Sequence, residues 1–187
     1  MNFVKRLFDI VLSCVALILL IIPFAVIGVV SLIKQGSPVF LKQKRYGKDG
    51  KVFSIYKFRT MKNDAPSMAS NDLDEGYVTR WGRLLRKTSV DELPQFLNIL
   101  KGDMSFIGPR PLIIQEEKIH KLRQESGVYK VRPGLTGWAQ INGRDDVSVE
   151  EKVELDKYYV DNLSIGFDLK IILKSISVVL NGSGVRK

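Results

Sequence analysis

The chain has 187 residues, 45% of them hydrophobic, enough for one domain or one domain with an appendage. A formal net charge of +9 favours a polyanionic partner: nucleic acid, an anionic membrane surface or a phosphorylated substrate. The single cysteine, Cys14, excludes an internal disulfide. With His120 the only histidine, a zinc site built from His and Cys, or a Ser-His-Asp triad, has almost nothing to draw on.

In chain order, the first element is apolar. No charged residue occurs between Ile10 and Ile33. At ~1.5 Å per residue, a straight helix over that run would reach about 36 Å, enough to cross a bilayer. Two features argue for a hairpin instead. Lys5 and Arg6 precede the run, and Lys34, Lys42, Lys44, Arg45 and Lys48 follow it, so both flanks carry the basic residues that prefer the cytoplasmic side. Pro23, near the middle, has no N–H for the Leu19 carbonyl, which predicts a kink between two halves, each too short to span. Spanning and re-entry both remain open on these grounds.

"SPVFLKQKRYGKDGKVFSIYKF" reads as two strands around an Asp49-Gly50 turn. Residues 63–76 are small and polar and read as a loop. "TRWGRLLRKT" is a short basic helix. Beyond Asp91, the residues Leu93, Phe96, Leu97 and Leu100 recur at helical spacing, and Gly102 closes that helix. Residues 111–125 read as helix with Pro111 in the first turn, "YKVRPGLTGWAQINGRDD" as loop, and residues 148–162 as helix. In the last helix, about 167–181, Lys170, Lys174, Ser177 and Asn181 form one polar stripe among apolar residues. That pattern suits either an amphipathic core helix or one lying in a membrane interface.

Chemistry concentrates in "SVDELPQFLNILKGDMSFIGPRP". Ser89-Val-Asp-Glu92 fits a capping box, but with Ser89 as N-cap, Pro94 would strip the Val90 carbonyl of its partner. With Asp91 as the N-cap, Pro94 falls where the N–H is free anyway, and Asp91 sits against the positive end of the helix with Glu92 beside it. Lys57 and Arg59 follow a strand, Arg86 precedes the acids, Arg110 is held between Pro109 and Pro111, and Arg132 and Arg144 bracket the glycine-rich loop. Guanidiniums on backbone fixed by Pro, or close to Gly, are suited to bidentate phosphate contacts. Scattered surface charge and plain helix capping are the competing explanations.

"VKRLFDIVLS", "KQKRYGKDGKVFSIYKFRTM", "KTSVDELPQFLNILKGDMSFIGPRP", "VRPGLTGWAQINGR" and "ELDKYYVDNLS", in this order over nearly the whole chain, closely resemble the bacterial sugar transferase family, the monotopic polyprenyl-phosphate phosphoglycosyl transferases in their minimal catalytic form. The resemblance implies an α+β fold: a re-entrant membrane hairpin over residues 1–35, and over 36–187 a mostly helical catalytic domain with a small β-hairpin and an interfacial C-terminal helix. It implies that Asp91 attacks the β-phosphate of a nucleotide sugar, usually a UDP-sugar. UMP leaves, and the sugar-phosphoryl group passes from Asp91 to polyprenyl phosphate. It further implies Mg²⁺ held with the help of Glu92, and location at the bacterial inner membrane with the body on the cytoplasmic face, without a nucleic-acid partner. Asp156 matches an acidic family position whose role is metal binding, nucleotide binding or support. One departure stands out. Ile22 precedes Pro23 where relatives carry Ser, so no hydroxyl is there to satisfy a carbonyl freed at the kink. The rival class is a membrane-anchored basic adaptor binding anionic lipid or nucleic acid, which explains the charge but neither the acid pair nor Arg110.

Overall fold

The apolar N-terminal run folds as two helices, α1 (Phe3–Leu19) and α2 (Ile21–Gln35), in a computed structural model that describes residues 3–66, 75–143 and 147–180. They meet at 60°. The break lies at Leu20, three residues before Pro23. Pro23 is thereby the third residue of α2, where a helix has no use for the N–H it lacks. The expected kink exists, but the proline sits inside the first turn of the second helix rather than at the bend. Leu20 N still donates to Ala16 O, and Phe24 N donates to Leu20 O, so the ladder resumes one turn on. Among the described residues no single helix is long and apolar enough to cross a membrane.

Around the bend Ile18, Leu19, Ile21 and Ile22 are 67–72% exposed, an apolar tip that water would not tolerate on an ordinary surface. The other end of the hairpin is polar and fastened. Lys5 Nζ reaches Asp168 Oδ2 at 2.5 Å, the Tyr159 hydroxyl and the Ile107 carbonyl. Arg6 donates to the Ile99 and Leu100 carbonyls, and Asp9 Oδ1 accepts from Ser105 Oγ and Phe106 N.

The strands expected around Asp49-Gly50 are β1 (Phe40–Tyr46) and β2 (Val52–Phe58), antiparallel from Phe40↔Phe58 to Tyr46↔Val52. Asp49 and Gly50 both take positive φ, which Gly accepts without strain and Asp at little cost. Residues 67–74 of the expected loop lie outside the described residues. The basic helix forms as α3 (Arg80–Lys87), with Thr79 Oγ1 accepting from Gly82 N as its cap.

Two further elements, β3 (Ser105–Ile107) and β4 (Gly134–Thr136), pair in parallel, and β4 falls where a loop was expected. The glycines explain the pairing: a Cβ on Gly134 would stand 2.1 Å from Gly108 N, so only glycine lets the two segments approach. The helix expected over 111–125 is shorter, α5 (Glu117–Glu125), and a short helix α6 (Trp138–Asn142) follows β4. α7 (Val149–Asp161) begins with a genuine capping box, Ser148 with Glu151.

The last helix is α8 (Ile165–Leu180). Its Ile171 is buried, while Ile165, Leu169, Leu173 and Ile176 form an exposed apolar stripe at helical spacing. Lys170 and Lys174 lie over the Trp138 ring, so their charges are partly engaged by α6. Asn181 lies outside the described residues.

The core runs through all of this. Ile55, Phe96, Ile99 and Met104 are buried with Ala16, Leu17 and Leu20 of the hairpin packed on them. Ile107, Tyr159 and Ile171 form a second cluster, and Leu112, Ile119 and Val153 a third. α1 is thus part of the wall against which the segment following Asp91 and Glu92 packs.

Candidate active site

The segment carrying the acid pair folds differently from either capping scheme. Ser89 takes a left-handed conformation, with φ 55°, and makes no capping bond. Val90–Glu92 form one 3-10 turn, and α4 (Gln95–Lys101) starts after Pro94 at its N-cap. Asp91 is therefore separated from the helix by Glu92, Leu93 and Pro94 and caps nothing. Of the expected stripe, Phe96 is buried together with Ile99, whereas Leu97 is 42% exposed. The 3-10 turn displaces the helix phase by about one residue, so Ile99 takes the inward place.

What fixes this turn is the neighbouring sheet. Asn98, fully buried on α4, accepts from Tyr56 N through Oδ1 and donates to Ser54 O through Nδ2. It closes the edge of β2 that β1 leaves open, a role with no sequence signal beyond a polar residue in an apolar run. Lys57, one residue beyond Tyr56, is thereby carried to the acids. Its Nζ donates to Glu92 Oε1 at 2.7 Å, and Arg110 Nη2 donates to the same oxygen at 2.9 Å. Burial opposes the Glu92 charge, but Arg110 and Lys57 outweigh it and hold its carboxyl well below the usual carboxylate range.

Asp91 is in the opposite state. It is 8% exposed and has no ion-pair partner among the described residues. Burial, abetted by the Glu92 charge and opposed by Lys57, Arg86 and Arg110, pushes its carboxyl up to about 6. Asp91 does not sit against the positive helix end that the N-cap reading gave it, and desolvation decides its state. The result is a carboxylate close to several cations but bonded to none of them, which leaves its oxygens available to an electrophile.

Arg110 is mounted rigidly, as its flanking prolines implied. Gly134 N donates to Pro109 O and Gly108 N to Thr136 O, so the β3–β4 pairing grips the backbone on one side. On the other side Arg123 Nη1 donates to the Arg110 carbonyl at 2.8 Å, and Arg123 Nη2 is paired with Asp156 at 2.5 Å. Both members of that pair are almost fully buried. Of the three roles open to Asp156, this geometry matches support: its carboxylate is committed to a guanidinium that holds the Arg110 backbone. Its Oδ2 is the oxygen engaged by that guanidinium.

The remaining cations separate. Arg86 Nε donates to Thr60 Oγ1 and its charge bears on Asp91, so it belongs to the group. Arg59 does not join it. Its Nη2 donates to the Gln35 and Gly36 carbonyls, locking the foot of the hairpin. Arg132 Nε donates to Gly102 O at the far end of α4 from the acids, beside Arg6. These two guanidiniums are used by the fold. Arg144 lies outside the described residues. His120 is spent on Tyr129 and the Ile113 carbonyl, away from the acids.

Among the described residues no group of three or more His, Cys, Asp or Glu gathers. Asp91 and Glu92 nevertheless fit Mg²⁺ by donor chemistry, since that ion is commonly held by one or two carboxylates together with phosphate oxygens.

The model of the bacterial sugar transferase family matches residues 1–182. The chain belongs to the bacterial sugar transferase family. It is 46% identical over 187 residues to an uncharacterized sugar transferase, EpsL, of Bacillus subtilis, covering 98% of this chain and 90% of that one. It is 40% identical over 182 residues to the UDP-glucose:undecaprenyl-phosphate glucose-1-phosphate transferase of Escherichia coli, 92% of this chain but 39% of that one. It is 36% identical over 201 residues to the undecaprenyl-phosphate galactose phosphotransferase of Salmonella typhimurium, 98% of this chain and 42% of that one. This sugar transferase chain therefore spans most of EpsL but less than half the length of the two relatives with named reactions.

Proposed function

We propose that this chain transfers a sugar-1-phosphate from a nucleoside-diphosphate sugar, a UDP-sugar by preference, to polyprenyl phosphate, through a covalent intermediate on Asp91. The observation that carries the reading is the contrast within the acid pair: Glu92 is tied by Lys57 and Arg110, while Asp91 is buried beside the same cations and tied by none. Family membership and the named reactions of the Escherichia coli and Salmonella relatives support the same class of chemistry.

In the first step an Asp91 carboxylate oxygen forms a bond to the β-phosphorus of the donor as the bond to the UMP oxygen breaks; UMP leaves with that electron pair. In the second, an oxygen of polyprenyl phosphate attacks the same phosphorus and displaces the carboxylate, giving polyprenyl-diphospho-sugar and restoring Asp91. Two half-reactions avoid one direct encounter of two phosphate anions. Lys57, Arg86 and Arg110 offset the charge of the phosphoryl oxygens, with Arg110 held in place by its backbone contacts. Bound Mg²⁺, with Glu92 as its protein ligand, would supply further neutralisation of the diphosphate.

The acceptor phosphate lies at a membrane surface, and the exposed apolar tip of the hairpin and the stripe on α8 fit a protein embedded in one leaflet. With both basic flanks on one side, that leaflet is the cytoplasmic one. The test is to incubate purified protein with a panel of UDP-sugars and Mg²⁺, without acceptor. UMP release of about one equivalent and a sugar-phosphate mass on the peptide containing Asp91 are expected. Turnover with acceptor but no adduct under rapid quench would overturn the covalent route. No UMP from any donor would overturn the reading as a whole.

A further inference from the structure

We infer that Arg45, on β1, is a phosphate-binding residue of this site and takes the diphosphate of the soluble donor together with Arg110. The inference rests on the proposed transfer reaction for the identity of the ligand, though not for the presence of an anion site.

The placement comes from the backbone. Arg45 pairs with Phe53 across the hairpin and also bridges to Ile113, on the segment that runs on from Arg110. β1 is thus stitched on its second edge to the loop that presents Arg110, and Arg45 is the residue at the seam. Its guanidinium lies within electrostatic reach of Arg110, Glu116 and Glu92. It has no carboxylate partner at bonding distance among the described residues. Nη2 donates to Gln43 Oε1, and Nε is buried with no partner at all.

A partly buried guanidinium with an orphaned donor and a like charge for a neighbour is an unfavourable arrangement for a purely structural arginine. Burial and Arg110 pull its proton affinity down to about 10, so it stays charged at neutral pH but carries that strain. Arg123, which serves the fold, also leaves its Nε without a partner, so the contrast lies in the Nη atoms: those of Arg123 are matched to a buried carboxylate and a carbonyl, whereas Arg45 has only the neutral Gln43 side chain among the described residues.

The charge balance of the cleft points the same way. Arg45, Arg86, Arg110 and Lys57 face Asp91, Glu92 and Glu116, and Asp91 is itself reluctant to ionise. Positive charge is in excess until an anion arrives, and two neighbouring guanidinium forks match the oxygens of a diphosphate.

The phosphate of the lipid acceptor is the other source of the same chemistry. The two ends of the cleft differ. Arg86 is linked through Thr60 to the foot of the hairpin, where Gln35 binds Thr79 and the Arg59 carbonyl, so that end faces the apolar helices. Arg45 is flanked by Tyr46, which stacks edge-on against His120, and by Ile113, away from the hairpin. The donor, which comes from water, fits the Arg45 end and the lipid the Arg86 end.

The experiment compares wild type with Arg45→Gln and Arg45→Lys, with donor and acceptor concentrations varied independently. Loss of one charge-assisted contact predicts a donor KM raised at least about tenfold in Arg45→Gln. Acceptor KM should stay within about twofold, and Arg45→Lys should lie between, because it keeps the charge without the fork. Thermal unfolding of each variant is followed in parallel; if Arg45→Gln does not fold, Arg45→Lys carries the comparison. A donor KM unchanged in the folded variants overturns the inference, and a rise confined to the acceptor KM reassigns the contact and overturns it equally. Inorganic pyrophosphate binding, measured by calorimetry, separates this from the reaction itself. If wild type turns over no UDP-sugar, the proposed function fails, yet pyrophosphate should still bind wild type about tenfold more tightly than Arg45→Gln. Equal binding sinks the Arg45 site on its own.

Discussion

Asp91 costs the fold stability, and the sign can be worked out. Its carboxyl titrates near 6 in the folded protein and near 3.8 when exposed. Between those values the unfolded chain gives up its proton first, so stability falls as pH rises from about 4 to 6, then levels. The loss is on the order of 2–3 kcal/mol at neutral pH. Asp91→Asn should therefore unfold at higher temperature than wild type at pH 7.5, with the gap closing near pH 4. It should also form no adduct and release no UMP. A variant that is inactive but not stabilised would mean burial does not hold the carboxyl up. Glu92 works the other way: its charge is held by Arg110 and Lys57, so its contribution is present above about 4.5 and lost on acidification. Glu92→Gln leaves those two cations without their carboxylate, and is expected to destabilise and to need more Mg²⁺ for half-maximal rate. Arg110, 44% exposed on its side chain, contributes little to folding as an ion pair. Arg110→Ala should cut kcat/KM by about 10²-fold or more with the unfolding temperature nearly unmoved, and Arg110→Lys should recover only part.

At the scale of elements, the site depends on how β2, the 3-10 turn and the Arg110 loop are held together. Arg123 bridges two of these supports, the Asp156 carboxylate on α7 and the Arg110 carbonyl. Asp156→Ala strands a buried guanidinium and should cost about 3–5 kcal/mol, read from the urea midpoint. Arg123→Lys is the sharper probe. An ammonium can keep the contact with Asp156 but lacks the second fork arm for Arg110 O. Its kcat should fall while donor binding and unfolding change little. Equal losses in kcat and in stability would make Arg123 a fold residue only. The motif "GPRP" announced a rigid arginine, and Lys57, Asp91, Glu92 and Arg110 do meet, because turn residues and charges leave local marks. Arg59 and Arg132 looked equally suitable but are bonded to carbonyls of the hairpin foot and of α4. Spacing cannot distinguish a guanidinium facing a ligand from one facing a helix end. The β3–β4 pair was hidden for a related reason. Its strands are three residues each, and the glycines that permit close approach read as loop. Asn98 and Arg45 were missed because their value lies in partners 42 and 68 positions away in the chain, at Tyr56 and Ile113.

For the whole molecule, the question is what keeps the hairpin from straightening. The sequence pointed to Pro23 and to basic flanks, and the structure adds a third device. Lys5 and Arg6 are not free for lipid headgroups: one is in a buried ion pair with Asp168, the other binds the carbonyl end of α4. Spanning would carry both across the bilayer and break these contacts, leaving Asp168 and Tyr159 buried without their cation, a cost of about 3–5 kcal/mol. Pro23, at the third position of α2, bars a continuous helix but makes no bond that holds the bend. Pro23→Leu alone is therefore expected to leave both ends on one face. Pro23→Leu combined with Lys5→Ala and Arg6→Ala should populate the spanning form. The measurement is maleimide labelling of intact cells carrying Cys14→Ser and a single new cysteine, Asn2→Cys or Lys48→Cys. Both sites should be protected in the parent and in Pro23→Leu, and Asn2→Cys alone should label in the triple variant. Labelling of Asn2→Cys in Pro23→Leu would return control to the proline. Labelling in the parent would mean that the chain spans, and that the contacts of Lys5 and Arg6 do not govern topology.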